Sequence, residues 1–218
     1  MNANENIENI HKQIQKNIFR MMPEKFSKMC LYASVINNDN IKGEMFFYYF
    51  PAGILKKNPI NVYEIPEIFS IDEEQYNKLE EELYESIKEL RKYYKLNNKK
   101  YWTNLTITIS GTNYIVEFNY DDLIKSKYNS FERHIIWRYK YLELPIESFS
   151  KEERKIIERY FDDIEYSTSQ TYQYQENIYE KQRNTNMQYD NEFIKETNSR
   201  TKEKEEEIKN VKNQLLNF

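Results

Sequence analysis

Few side chains in this sequence are of the kinds that carry covalent or metal chemistry. There are two histidines, His11 and His134, and one cysteine, Cys30. From neither histidine does a second ligand type stand three or four residues further along, the spacing that sets two metal donors on one helix face. Both are therefore read as structural or surface residues. A lone cysteine excludes an intramolecular disulfide and a Cys-based zinc site, and fits a reducing compartment. With no His or Arg beside it to favour the thiolate, Cys30 reads as a small buried hydrophobe. The adjacent carboxylates Asp121 and Asp122 have the right type for general acid and base work. No partner residues accompany them, so they read first as a turn and helix cap. Glycine occurs only at Gly43, Gly53 and Gly111, which rules out Gly-rich nucleotide loops of the dinucleotide and P-loop kinds.

Charge placement is more specific than any nucleophile. The 218 residues hold 32 Lys and Arg against 36 Asp and Glu, a net charge of -4, and this disfavours a general affinity for the phosphate backbone. Between Glu64 and Glu89 ten acids face two bases. Glu81 and Glu85 stand one helical turn apart, a like-charge pair that costs a few tenths of a kcal/mol in an isolated helix. Two readings stay open. One is a solvated helix face whose first-turn acids complement the dipole. The other is an acidic docking surface that speeds encounter with a basic partner, formed by Glu74, Glu81, Glu82 and Glu85, with Asp121 and Asp122. Tyr84, Trp102 and Tyr120 are its candidate aromatic anchors, although a tryptophan such as Trp102 or Trp137 also suits a core.

These residues need elements to hold them. Ile7, Ile10, Ile14, Ile18 and Met21 form one helical stripe that Pro23 stops. Alternation over Met29 to Val35, then the aromatic run Met45 to Phe50, predicts a hairpin across a turn-rich Asn37 to Gly43. A short edge strand is expected at Val62 to Ile65. Ser70 with Glu73 reads as a capping box opening a long amphipathic helix through Tyr76, Leu79, Leu83, Ile87, Leu90 and Tyr94. Leu105 to Ile109 and Tyr114 to Tyr120, joined at Ser110 to Asn113, predict a second hairpin. Phe131 to Leu142 fits both a helical stripe and a strand alternation. Ser150 with Glu153 is another capping box, and Ile156, Ile157, Tyr160 and Phe161 follow it.

After about Asp163 the composition turns polar and nearly free of aliphatic residues, too poor in burial to offset chain entropy. The expected organisation is an α+β domain over 1–163, with an N-terminal helix, an antiparallel sheet from two hairpins, a central acidic helix and C-terminal helices. Residues 164–218 then form a polar low-complexity linker and a charged tail with helical potential. No apolar run approaches the ~18 residues of a membrane span, and the N-terminus does not read as a secretory signal. The expected location is the cytoplasm.

Several stretches, taken in order, resemble one family. They are Met22-Pro23-Glu24, the strand Phe46-Phe47-Tyr48-Tyr49, the acidic helix Leu79 to Leu90, and Trp102-Thr103-Asn104-Leu105-Thr106. Above all, Glu132-Arg133-His134-Ile135-Ile136-Trp137-Arg138-Tyr139-Lys140-Tyr141-Leu142 is similar to a motif of the YezG-like antitoxin, or immunity protein, family. The resemblance runs from about Ile14 to Phe161. Glu132, Arg133, Trp137, Tyr139 and Leu142 match the motif and read as structural. The resemblance implies a cytoplasmic immunity protein that binds and inactivates the nuclease domain of a toxin exported by the type VII pathway of Gram-positive bacteria. It further implies no catalysis, no cofactor, no metal, no small-molecule substrate, no membrane and no direct nucleic-acid contact. Where the family commonly places a glycine after the closing leucine, this chain has Glu143. The alternative function is an adaptor or chaperone that keeps an export substrate soluble, and an enzyme built on Asp121 and Asp122 has the least support.

Overall fold

The computed structural model describes residues 3–35, 43–53, 58–97 and 99–183, with positions 202, 206, 209, 210 and 213 beyond them. The chain divides into two compact units, Met1–Ser130 and Phe131–Phe218.

The first unit begins with helix α1, Ala3–Met21, whose stripe buries Ile14 and Ile18 completely. Strand β1, Phe26–Ser34, follows, and pairs antiparallel with β2, Met45–Pro51, on one edge and with β4, Asn104–Ser110, on the other. β5, Asn113–Asn119, closes the second hairpin on β4 through Gly111, whose φ of 58° suits glycine. A two-residue strand β3, Ile60–Asn61, pairs with β2, and the sheet order is β3-β2-β1-β4-β5. Because β1 is central, Met29 to Ser34 are buried without interruption. Met29, Leu31 and Ala33 join Phe47, Tyr49, Leu105 and Ile107 in the core with α1 and the long helix α3, Glu73–Leu96.

Two local expectations are corrected. The edge strand lies at Ile60–Asn61, and Val62–Glu64 is a 3-10 turn leading into a short helix α2, Ile65–Phe69. Pro66 in the first turn of α2 explains the difference, since its fixed φ suits a helix start and it donates nothing to a strand ladder. Ser70 does not open α3. It ends α2 in the left-handed region with φ 52°, its N–H bonded to the Pro66 carbonyl. Asp72 caps α3 instead, its Oδ1 accepting the Gln75 N–H at 2.8 Å.

Polar groups fix how α3 sits. Asn17 of α1, 2% exposed, donates to Ser86 Oγ at 2.9 Å and to the Glu82 carbonyl at 3.1 Å. At the end of β1, the Ser34 N–H donates to the Glu44 carbonyl at 2.8 Å, and Ser34 Oγ accepts the Glu44 N–H at 2.9 Å. The Ser34 carbonyl accepts the Tyr84 hydroxyl at 2.9 Å. Gly43 passes over this junction so closely that a Cβ there would fall 1.6 Å from Tyr84 Oη and 2.3 Å from the Ser34 carbonyl oxygen.

The second unit resolves the ambiguous motif as helix α4, Ser130–Tyr141. Helix α5, Lys151–Arg183, starts at the expected capping box. The Ser150 N–H donates to Glu153 Oε2 at 2.8 Å, and Ser150 Oγ accepts the Glu153 N–H at 3.2 Å. α5 runs on past Asp163, with the Ser167 and Ser169 hydroxyls donating to the Asp163 and Glu165 carbonyls one turn back. Paucity of aliphatic residues there argues against burial, not against helix. The rest of the expected tail lies mostly outside the described residues. Ile135, Ile146, Phe149, Ile157 and Phe161 form this unit's own core. After Leu142 the chain turns through Glu143 at φ 52°, a conformation that costs a side-chain-bearing residue about 1–2 kcal/mol.

Two substitutions test these backbone constraints. Gly43→Ala should lower unfolding stability by about 1–3 kcal/mol, read by urea denaturation, because backbone and a held tyrosine must shift. Glu143→Gly should raise the unfolding midpoint of the second unit by about 1 kcal/mol equivalent, whereas Glu143→Ala should give no gain.

Candidate functional site

α3 is electrically bipolar. Its seven acids, Glu73, Glu74, Glu80, Glu81, Glu82, Glu85 and Glu89, all precede Leu90, while Arg91, Lys92 and Lys95 occupy its last turns. The order matches the helix dipole. Lys99 and Lys100 extend the positive end.

Within the acidic half, side chains differ in what they already hold. Glu74 pairs with Lys78 at 2.8 Å and Glu85 with Lys88 at 2.6 Å, while Glu82 pairs with Arg20 of α1. These exposed pairs contribute about 0–1 kcal/mol each to stability, yet each sets a positive charge against the carboxylate that a partner would meet. Among the described residues, Glu73, Glu81 and Glu89 form no ion pair. Glu80 turns inward beside Tyr63. Burial raises its pKa, the Tyr63 hydroxyl opposes the rise, and the Glu81 charge adds to it.

The aromatic anchors are redistributed by the fold. Trp102 is wholly buried, 5.6 Å from the Phe118 ring, and so is corrected from surface anchor to core residue. Tyr84 is half-buried and held by Ser34. Tyr120 is 39% exposed, with Lys100 Nζ 4.1 Å from its ring centre. It is close enough to Tyr94 to raise that group's pKa after burial has done so. Glu81 and Tyr94 are about 20 Å apart along α3 at roughly 1.5 Å per residue. Tyr120 therefore belongs to the positive end, on a surface separate from Glu81 and the acids that precede it on α3.

Asp122 Oδ1 accepts the N–H groups of Ile124 and Lys125 at 3.1 and 3.2 Å, and Asn119 Oδ1 accepts those of Tyr120 and Asp121. The pair thus builds the turn after β5. Among the described residues no group of three or more His, Cys, Asp or Glu could hold a metal ion. None of the described helices is long and apolar enough to cross a membrane.

Sequence reading missed Arg91. This buried guanidinium lies 3.8 Å from the Tyr101 ring centre and donates to the Trp102 carbonyl at 2.8 Å and the Tyr101 hydroxyl at 2.8 Å. It ties α3 to the approach of β4. No spacing rule announces a bond between a helix and the loop that follows it.

In the second unit the motif residues hold α4 to its own neighbours. Glu132 pairs with Arg159 of α5, and the Tyr139 ring packs edge-on to Phe149 and Phe161 at 6.1 and 5.7 Å. Trp137 is 5% exposed and stacks with Tyr141, Leu142 is buried, and Arg133 is half-buried.

Comparison with known proteins agrees with this assembly of residues. A family model described as immunity protein YezG-like matches residues 7–158. The immunity protein YezG of Bacillus spizizenii is 35% identical over 136 residues, 62% of this chain and 81% of that protein. The immunity protein YezG of Bacillus subtilis is 29% identical over 67% of this chain and 95% of its own. The type VII secretion system protein EsaG of Staphylococcus aureus is 27% identical over 76% of this chain and 99% of its own.

Two groups of the first unit link stability to pH in opposite directions. His11 Nδ1 is hydrogen-bonded to the Tyr114 hydroxyl at 3.1 Å, and burial lowers its pKa below 6.5. Its contribution is present above the unfolded value and is lost as pH falls through the folded one. The raised Glu80 pKa acts the other way, favouring the fold as the carboxyl protonates. Urea unfolding followed from about pH 7.5 down to 5 should show stability falling in wild type. His11→Gln should flatten that fall, and Glu80→Gln should steepen it.

Proposed function

The chain belongs to the YezG-like immunity protein family, and from that premise we propose that it is a cytoplasmic antitoxin. Its partner is a cognate toxin exported by the type VII route, whose nuclease domain it binds and silences without catalysis. The observation that carries this reading is the acidic stretch from α2 through the first half of α3, ten acids against two bases between Glu64 and Glu89 in a chain of net charge -4. A nuclease holds its substrate through Lys and Arg that neutralise phosphates, and a carboxylate surface complements the same groups. Among Glu74, Glu81, Glu82 and Glu85 on α3, Glu81 is free to do this, while the other three must exchange an internal cation for the partner's. The type VII assignment draws on the name of the staphylococcal relative.

Co-expression with the nuclease domain encoded beside its gene is the direct test. The full chain should co-purify with that domain, and the complex should not cleave plasmid DNA. Recovery of a free, active nuclease would overturn the reading and favour an adaptor that protects some other export substrate. Within a working pair, replacing Glu81, Glu82 and Glu85 together by Lys should slow association at least tenfold at low salt, a difference that shrinks as salt screens the charges.

A further inference from the structure

α2 and the turn that follows it present an apolar face that is rigid and rimmed with acids. Val62 and Ile65 point into the core with no exposure, which leaves the opposite side outward. Glu64, Glu67 and Ile68 share that outer side, spaced as neighbours on a helix. The left-handed turn at Ser70 returns the chain, and the Ile71 N–H bonds to the Pro66 carbonyl at 3.0 Å. Tyr63, Ile68 and Ile71 are 39%, 52% and 37% exposed.

The face is held in place. Asn61 Oδ1 accepts the Tyr63 N–H at 3.2 Å, and the Tyr63 hydroxyl donates to the Met45 carbonyl of β2 at 3.0 Å. Pro66 restricts the first turn of α2. A partner therefore meets it without an ordering cost. Around it stand Glu64, Glu67 and Glu73, none of which forms an ion pair among the described residues, and Glu80 lies beside Tyr63.

We propose that this face, centred on Ile68 and Ile71, is the apolar centre of the toxin interface. Its occupant is a basic protein surface that sets an aliphatic or aromatic side chain against the isoleucines and Lys or Arg against the surrounding glutamates. The proposal rests on the immunity reading and moves its centre from the middle of α3 to the α2–α3 corner. Charge complementarity decides the class of occupant. On α3, Glu74, Glu82 and Glu85 already hold Lys78, Arg20 and Lys88, whereas Glu64 and Glu67, like Glu81, can take a partner's cation without releasing one, and of these Glu64 and Glu67 flank the exposed isoleucine on α2. An apolar centre within a charged rim is also the usual anatomy of a binding hot spot. The same carboxylates repel a phosphate backbone, so a nucleic acid is not the occupant.

The test measures binding of the full chain to the isolated cognate toxin domain. Ile68→Ser with Ile71→Ser should weaken binding about 100-fold or more, mainly through faster dissociation. Glu64→Gln with Glu67→Gln should slow association severalfold at low salt and much less at high salt. Ile115→Ser with Ile124→Ser, at residues 54% and 59% exposed elsewhere, should bind as wild type. Thermal midpoints close to wild type would show each variant folded. Unaltered binding by both the isoleucine and the glutamate variants, alongside a tight wild-type complex, overturns this interface and leaves the immunity reading standing. Absence of any complex with wild type overturns both.

Discussion

The first unit depends on β1 being hydrogen-bonded along both edges. A one-residue slip of a strand so placed would turn Met29, Leu31 and Ala33 away from the core they share with α1 and α3 and set Cys30, Tyr32 and Ser34 in their place. Its last residue extends the constraint beyond the sheet. Ser34 uses its N–H, its hydroxyl and its carbonyl on Glu44 and Tyr84, so that the end of β1, the start of β2 and the middle of α3 meet at one fully buried residue. Asn17 does the same work between α1 and α3 through Ser86 and the Glu82 carbonyl. In a chain with a mean hydropathy of -0.95, buried polar bonds of this kind specify position where apolar area alone would leave α3 free to slide.

With α3 positioned, the same helix carries two opposite surfaces. Acids lead and bases follow, in the sense the helix dipole favours, and the Arg91 bonds to Tyr101 and Trp102 anchor the positive end against the sheet. The acidic end is less uniform than its composition implies. Glu74 and Glu85 close on a lysine one turn away and Glu82 on Arg20 of α1, while Glu64 and Glu67 at the start of α2 face outward with no lysine within one turn. Family membership assigns an immunity role, and the local geometry distinguishes which carboxylates are committed to the fold.

The long elements were legible because their signals are local and repeated. The α1 stripe, the α3 stripe, the two hairpins and the Ser150 and Glu153 cap all rest on residues within one or two turns of each other. Where two local signals competed, the tertiary structure chose. Ser70 and Asp72 both suit a cap, and the Ser70 N–H was taken by α2. Val62 to Ile65 has strand-like residues, and Pro66 with the buried Ile65 drew it into a helical turn. The motif around Trp137 fits both periods, and the packing of Tyr139 on Phe149 and Phe161 belongs to a helix.

From the sequence alone came the α+β class, the order of the main elements, the family, and the concentration of acid before Leu90, because periodicity, capping and charge are properties of neighbours along the chain. Only the tertiary structure decided that Trp102 is core, that Tyr120 sits with the bases and that Asp122 builds a turn. It also decided which glutamates keep a cation of their own. Exposure and ion pairing depend on what folding brings alongside a side chain, and Arg20 reaching Glu82 from another helix is a contact that no spacing in the sequence encodes.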